Sequence, residues 1–352
     1  MKEEKTIDSI SWQVPESEYR ADPALSYSML SHYEREGFDG IKTLFDKKES
    51  PSLLFGSIVD SILTGGIEEF NERFVITDIK MPTDRAKEVA DALYLEHQNV
   101  HTLDEITDTE IIAKCKELDY CAKYTDKFIA KNMHEKCDEY FRFLVLANGK
   151  QVVDREVYDM AEKAVLALRT APQCISQYFT NDPSNYYQLK FKGDLNGVPF
   201  RCMADVIRVD YKNKIVYPID LKTSSHSEWN FATSFIQWRY DLQARCYWRI
   251  IRQNMDKDEY FKDFELADYK FIVVNKETLT PLIWECPFTK DEDAIYLRDT
   301  LHGNKTVVLR DPNDIASELR FFLDSPEALP FEIKKDEVNN LSKFLVRKDE
   351  SY

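Results

Sequence analysis

The run Val216-Tyr217-Pro218-Ile219-Asp220-Leu221-Lys222 constrains this chain more than any other stretch. It is apolar enough for a buried strand, yet two charges sit at its end. Residues i and i+2 of a strand point to one face. The Asp220 carboxylate and the Lys222 amine therefore share a face, while Leu221 turns the other way into a core. Charge at the end of an apolar strand is costly unless it is paired or bound to a metal. A second acid, Asp205, lies fifteen residues earlier and closes the preceding predicted strand.

The rest of the chain narrows the setting. Its 352 residues allow one large domain or two modest ones. Hydrophobic content of 43% suffices for a packed core, and no stretch approaches the roughly 18 apolar residues of a membrane span. The start, Met-Lys-Glu-Glu-Lys, leads into a polar segment without an apolar signal core, so a cytoplasmic location is expected. Cysteines 115, 121, 137, 174, 202, 246 and 286 are scattered, with no Cys-x-x-Cys pair. That argues against a zinc ribbon or iron–sulfur cluster and for free, mostly buried thiols in a reducing compartment. The net charge is −16, but residues 186–252 carry eleven Lys/Arg against six Asp/Glu. An acidic body with one locally basic window suits an enzyme that admits nucleic acid at a single place.

Along the chain, residues 1–24 read as an extension and 25–182 as a mainly helical region. Ser26 precedes a short helix through Glu36 that Gly37 stops, and a second helix runs from Gly56 to Leu63. Helices are also predicted from Thr83-Asp84 to Glu96, from Asp108, and from Asp154 to Leu168. After Pro183 the pattern changes to strands. Residues 186–191 and 198–204 flank the turn Asp194-Leu195-Asn196-Gly197, and residues 204–210 and 214–221 flank Tyr211-Lys212-Asn213. A long helix is expected over 231–253, strands over 269–275 and 281–286, and helices near 291–301 and 313–322. This reads as an α/β core over 183–325 with a mixed sheet flanked by helices, then a polar tail over 326–352.

Two carboxylates near one lysine can hold a divalent cation and activate a water, which is what phosphodiester hydrolysis requires. Gln243 and Tyr247 stand four apart on the predicted helix and face the same way, toward a phosphate or a water. Arg239, Arg245 and Arg249 on that helix are candidate contacts to backbone phosphates, or solvated charges. Asp60 lies beside the apolar face of Ile58, Val59, Ile62 and Leu63, and His226 follows the strand in a polar loop. No P-loop, dinucleotide fingerprint or nucleophile elbow is present, which leaves ATPase, dehydrogenase and esterase readings without support.

Taken together, Asp205, Asp220-Leu221-Lys222-Thr223 and Gln243-x-x-x-Tyr247 resemble the PD-(D/E)XK nucleases of restriction-endonuclease-like fold, and within them the phage-type RecE/exonuclease VIII branch. The segments Leu25-Ser26-Tyr27-Ser28-Met29-Leu30 and Gly56-Ser57-Ile58-Val59-Asp60 stand in the matching order, and the resemblance covers about residues 25–290. It implies that Asp205, Asp220 and the backbone carbonyl of Leu221 bind Mg²⁺, with Mn²⁺ able to substitute, and that Asp60 takes the place of a metal-binding histidine. Lys222 would position or help deprotonate the attacking water, while Gln243 and Tyr247 would orient substrate or Lys222. Gln188, on the substrate side, stands where relatives carry a glutamate, which bears on two-metal catalysis. The implied activity is a 5′-to-3′ exonuclease on double-stranded DNA ends, partnered by a single-strand annealing protein and assembled as a ring. Two alternatives remain: an endonuclease of the same superfamily, and a catalytically silent DNA-end-binding or scaffolding protein.

Overall fold

The computed structural model describes residues 5–46, 50–227, 230–286, 288–299 and 305–326. It divides into two compact units, Ser57–Val165 and the remainder of the chain. The division differs from the expected boundaries, because residues 5–56 belong with the sheet rather than with the helical block. The tail from residue 327 lies outside the described residues.

The smaller unit is mainly helical, as its sequence suggests. Helices Asp84–Glu96, Asp108–Glu117 and Asp126–Ala147 bury Val89, Leu93, Ile111, Met133 and Phe141 in one core. Thr107 opens the second of these with a capping box to Glu110. Two short strands escaped the helical reading. β1 (Phe74–Thr77) pairs in parallel with β2 (Gln151–Asp154). The predicted helix over 56–63 begins earlier, at Pro51, and passes after Asp60 into a π-helical turn, Ser61–Gly65.

The larger unit is built on β3 (Asn185–Leu195), β4 (Val198–Asp210), β5 (Ile215–Ser224), β6 (Glu265–Leu266), β7 (Lys270–Asn275) and β8 (Pro281–Glu285). The sheet order is β3-β4-β5-β7-β8, with β6 pairing the start of β5. β3, β4 and β5 form an antiparallel meander, β7 joins β5 in parallel, and β8 returns antiparallel to β7. It is a mixed, restriction-endonuclease-like sheet, as expected. The β3–β4 turn needs two residues in the left-handed region, and Asn196 (φ +51°) with Gly197 (φ +81°) supplies them. The strands predicted over 198–204 and 204–210 are one continuous β4, which places Asp205 inside a strand instead of at its end.

The connection from β5 to β7 is helical, but it is two helices where one was expected. Phe231–Gln237 stops at Trp238, and Tyr240–Asp256 begins after Arg239, whose φ of +55° breaks the α-helical path. The second helix buries Leu242, Cys246, Ile250, Ile251 and Met255 against Phe191, Cys202, Phe271 and Val273 of the sheet. Helix Pro312–Asp324 appears as predicted, with Asp311 capping it. The helix expected near 291–301 is instead a strand: β9 (Ile295–Asp299) pairs antiparallel with β10 (Lys305–Leu309). The alternation of Ile295, Leu297 with Tyr296, Arg298 is a period-two pattern, which the acidic residues before it disguise.

The extension is part of this unit. Trp12 N–H donates to Lys190 O at 2.7 Å, and Leu25 exchanges backbone hydrogen bonds with Pro199 and Arg201. The Arg201 guanidinium donates to the carbonyls of Tyr19 and Ala24 at 2.7 and 3.2 Å. These bonds fix residues 19–26 beside β4. All seven cysteines are free, five of them buried. Among the described residues no helix is long and apolar enough to cross a membrane.

Candidate active site

A fork in the sheet creates the site. β4 and β5 pair from Asp210↔Ile215 up to Val206↔Ile219, and there the ladder stops. The next positions in register are Asp205 and Asp220. Here the Leu221 N–H goes to a side chain: it donates to Asp205 Oδ2 at 2.9 Å. The carboxylate takes a backbone donor that the ladder has released, which meets the demand for a partner where pairing ends. Further along β4, Leu25 bridges Phe200 on the same edge that β5 occupies at Val206. Between these two partners the edge of β4 is open, and Met203 and Asp205 look into the gap.

The gap is a cleft of about 300 Å³. Asp205, Asp220, Lys222, Gln243 and Tyr247 all line it. Five residues expected from sequence to act together are thus brought together. Asp220 is 2% exposed, and its Oδ1 accepts the Gln243 side-chain N–H at 2.5 Å. Lys222 Nζ lies 2.5 Å from Asp220 Oδ2 as an ion pair, but without hydrogen-bond geometry, so that oxygen has no hydrogen-bond donor. Gln243 Oε1 is also buried and unpartnered. Buried polar atoms in a folded protein are nearly always satisfied. Two unsatisfied acceptors at one cleft mark a place built for something that binds there.

Lys222 also sits over the Tyr240 ring at 4.9 Å and the Phe271 ring at 5.8 Å. Burial alone would depress its pKa, but the Asp220 carboxylate, the Tyr240 and Tyr27 phenols and Asp205 outweigh it and hold the amine above the ordinary lysine range. Lys222 is therefore a cation at neutral pH. Its charge, beside Asp220 in the cleft, is placed to stabilise negative charge. Tyr247 is held protonated by burial, with Tyr19, Cys202, Asp220 and Asp205 adding to the effect.

The donor set fits a hard divalent cation. Mg²⁺ binds through one or two carboxylates, with waters and substrate phosphate oxygens completing its shell. Asp205 and Asp220 supply such a pair on one cleft, and the chemistry of that donor set is the observation that favours it. Among the described residues no cluster of three His, Cys, Asp or Glu side chains is gathered for a metal. Asp60 ends the helix Pro51–Asp60 and belongs to the smaller unit.

Other expectations change. Arg239, Arg245 and Arg249 are neither phosphate contacts nor solvated charges. Arg239 is buried and ion-paired to Asp241 at 2.9 Å and to Glu34. Arg245 is fully buried and donates to Asp311 and to the carbonyls of Asp291, Asp293 and Arg310. Arg249 bonds Asp311 at 2.9 Å and the Asp291 carbonyl at 2.7 Å. Each guanidinium is engaged by carboxylates or carbonyls of the protein itself. Much of the basic window is neutralised in the same way, with Lys192 on Asp22, Arg208 on Asp182 and Arg252 on Asp256. Gln188 faces Asp205 across the β3–β4 register and adopts φ +53°, which interrupts the ladder there. A non-glycine residue in the left-handed region opposite Asp205 is local strain of the kind that gathers at functional sites. His226 is exposed in its loop.

Sequence reasoning missed Tyr19, Arg20 and Arg201 on the cleft wall, and gave no role to Ser26, Tyr27 or Ser28. The serine–tyrosine segment was visible as a motif, but its partner residues are nearly two hundred positions away.

Comparison with known proteins adds the family. No curated protein matches the chain. Among solved structures, a candidate exonuclease from Eubacterium rectale is 14% identical over 89% of this chain and 83% of its own, with a TM-score of 0.38, too low to carry an argument about function. The model of the PDDEXK-like domain of unknown function (DUF3799) matches residues 26–282, a span that holds β3 to β7 and every cleft-lining acid, and the chain belongs to that family.

Proposed function

We propose that this protein is a divalent-cation-dependent nuclease that hydrolyses DNA phosphodiesters, acting as an exonuclease on duplex ends. The observation that carries the reading is the fork itself. Asp205, Asp220 and a cationic Lys222 converge on one cleft, with the unpartnered Gln243 Oε1 beside them. Mg²⁺, or Mn²⁺ in its place, would be held by Asp205 and Asp220 and would polarise the phosphoryl group and ease ionisation of a bound water. Asp60 and the Leu221 carbonyl join as further candidate ligands from the resemblance alone. The chain's own residues do the rest. Lys222 places a fixed positive charge where the pentacovalent phosphorus gathers negative charge, inside a partly dehydrated cleft where that charge counts most. Gln243 holds the Asp220 carboxylate in one orientation through Oδ1. Its free Oε1 is an acceptor for the attacking water. Tyr247, kept protonated by burial, can donate a hydrogen bond to substrate.

End specificity, 5′-to-3′ polarity, an annealing partner and a ring assembly come to this reading from the resemblance. Digestion of linear duplex DNA labelled at its 5′ or 3′ end tests it, with Mg²⁺ and with EDTA, beside a closed circle and beside Lys222→Ala. Metal-dependent release of the 5′ label, lost in the variant and absent on the circle, supports it. Cutting of the circle would make the enzyme an endonuclease. End binding without any release, even with Mn²⁺, would leave a protein that recognises DNA without turnover.

A further inference from the structure

Trp238 is the exposed residue at the break between the two connecting helices, 42% accessible, and its surroundings are more rigid than exposure suggests. Its N–H donates to Ser234 O at 2.9 Å, and its carbonyl accepts the Tyr27 hydroxyl at 2.7 Å. The next residue, Arg239, is locked in a left-handed conformation by Asp241 and Glu34. The Arg35 guanidinium lies over the indole at 4.9 Å and is itself steadied by Ser31 Oγ at 3.2 Å. A large aromatic is thus held out to solvent by a buried ionic anchor, with a cation already stacked on it.

Its place in the fold gives it a use. Tyr27 lines the cleft, and Tyr240, two residues after Trp238, carries Lys222 over its ring at 4.9 Å. The Tyr27 hydroxyl bonds the Trp238 carbonyl and Arg35 stacks on the Trp238 ring, so the pair adjoins the cleft through Tyr27. Indole and guanidinium side by side offer what a nucleotide needs, a π-face for the base and positive charge for its phosphate. Arg239, Arg245 and Arg249 are engaged by Glu34, Asp241 and Asp311, which leaves room for a cationic contact from other arginines.

We propose that Trp238 and Arg35 form a stacking lip that positions the terminal base of the DNA strand entering the cleft. The inference rests on the nuclease reading and adds to it a positioning pair. Stacking of this type tolerates any base, so the lip would fix where the strand end sits and leave sequence unread.

The test uses duplexes carrying 2-aminopurine at the terminal position of one strand or the other, titrated in EDTA so that no cleavage occurs. Wild type should quench one of the two probes. Trp238→Ala should abolish that quench and weaken binding about tenfold, and Trp238→Phe should restore most of both. In turnover with Mg²⁺, Trp238→Ala should raise KM about tenfold with kcat within about twofold. Equal quench and equal affinity in wild type and Trp238→Ala, with urea midpoints matched, would overturn the lip while leaving the nuclease intact. Failure of wild type to bind either duplex would remove the nuclease reading, and the lip with it.

Discussion

The helix Tyr240–Asp256 contributes to two buried polar clusters, and they are built to opposite rules. In one, Gln243 meets Asp220 and Lys222, and two acceptors remain without hydrogen bonds. In the other, Arg245 and Arg249 meet Asp311, Asp241 and three backbone carbonyls, and Arg239 meets Asp241 and Glu34. Arg310 extends this second network to Glu34 and Glu318. It ties the helices Tyr27–Glu36, Tyr240–Asp256 and Pro312–Asp324 together, and none of its side-chain atoms is among the buried unsatisfied ones. Buried charge on its own therefore says little about catalysis. What separates the two clusters is whether the protein completes its own hydrogen bonding.

The sharpest way to break the comparison is to neutralise one charge on each side. Asp220→Asn keeps the shape of the cleft and removes the charge. DNA hydrolysis should fall by about a thousandfold, as measured by single-turnover cleavage. Arg245→Met should do the reverse. It removes the fully buried cation shared by Asp311, Asp241 and the Asp293 carbonyl, leaving Arg249 and Arg239 as their remaining partners, which costs about 3 kcal/mol in urea unfolding, with cleavage per folded molecule unchanged. Loss of activity in Arg245→Met beyond the loss of folded protein would mean that the arginine cluster is part of the site.

Gln243 lies between these extremes. Gln243→Leu removes both the donor to Asp220 and the unpartnered Oε1. A cleavage rate about a hundredfold lower is expected, with a stability change of only about 1 kcal/mol because one lost hydrogen bond is offset by one orphan removed. The smallest effect is one of pH. The folded pKa of Lys222 is raised, so the Lys222–Asp220 pair contributes fully below the ordinary lysine value of 10.5 and is lost only as pH climbs above it. Unfolding midpoints of wild type and Lys222→Met should therefore differ by a constant amount between about pH 7 and pH 10. A difference that shrinks across that range would show that Lys222 loses its proton early and can serve as a base.

How much of this was legible in the sequence follows the range of the interaction. Asp220 and Lys222 could be read as neighbours because strand alternation is local, and Gln243 with Tyr247 because helix spacing is. The hairpin at Asn196-Gly197 and the stop at Gly37 were visible for the same reason. The fork was not, since it depends on Leu25 replacing β5 along the edge of β4, a pairing across 175 positions. The arginines misled because their partners, Glu34 and Asp311, are remote in sequence, and an arginine on a helix reads as solvent-facing until a partner is found. β9 was misread as helix because five alternating residues are few beside the charged run before them.

The most direct measurement of the central claim pairs rate with stability in a single variant, Asp220→Asn, using Mn²⁺-supported cleavage of a linear duplex and urea unfolding of the same preparation. A rate per folded molecule lower by about a thousandfold, beyond whatever stability the lost Lys222 pairing costs, is the predicted signature of a site left unsatisfied for catalysis. An unchanged rate would contradict the account, and so would a loss of activity that merely tracks a loss of fold.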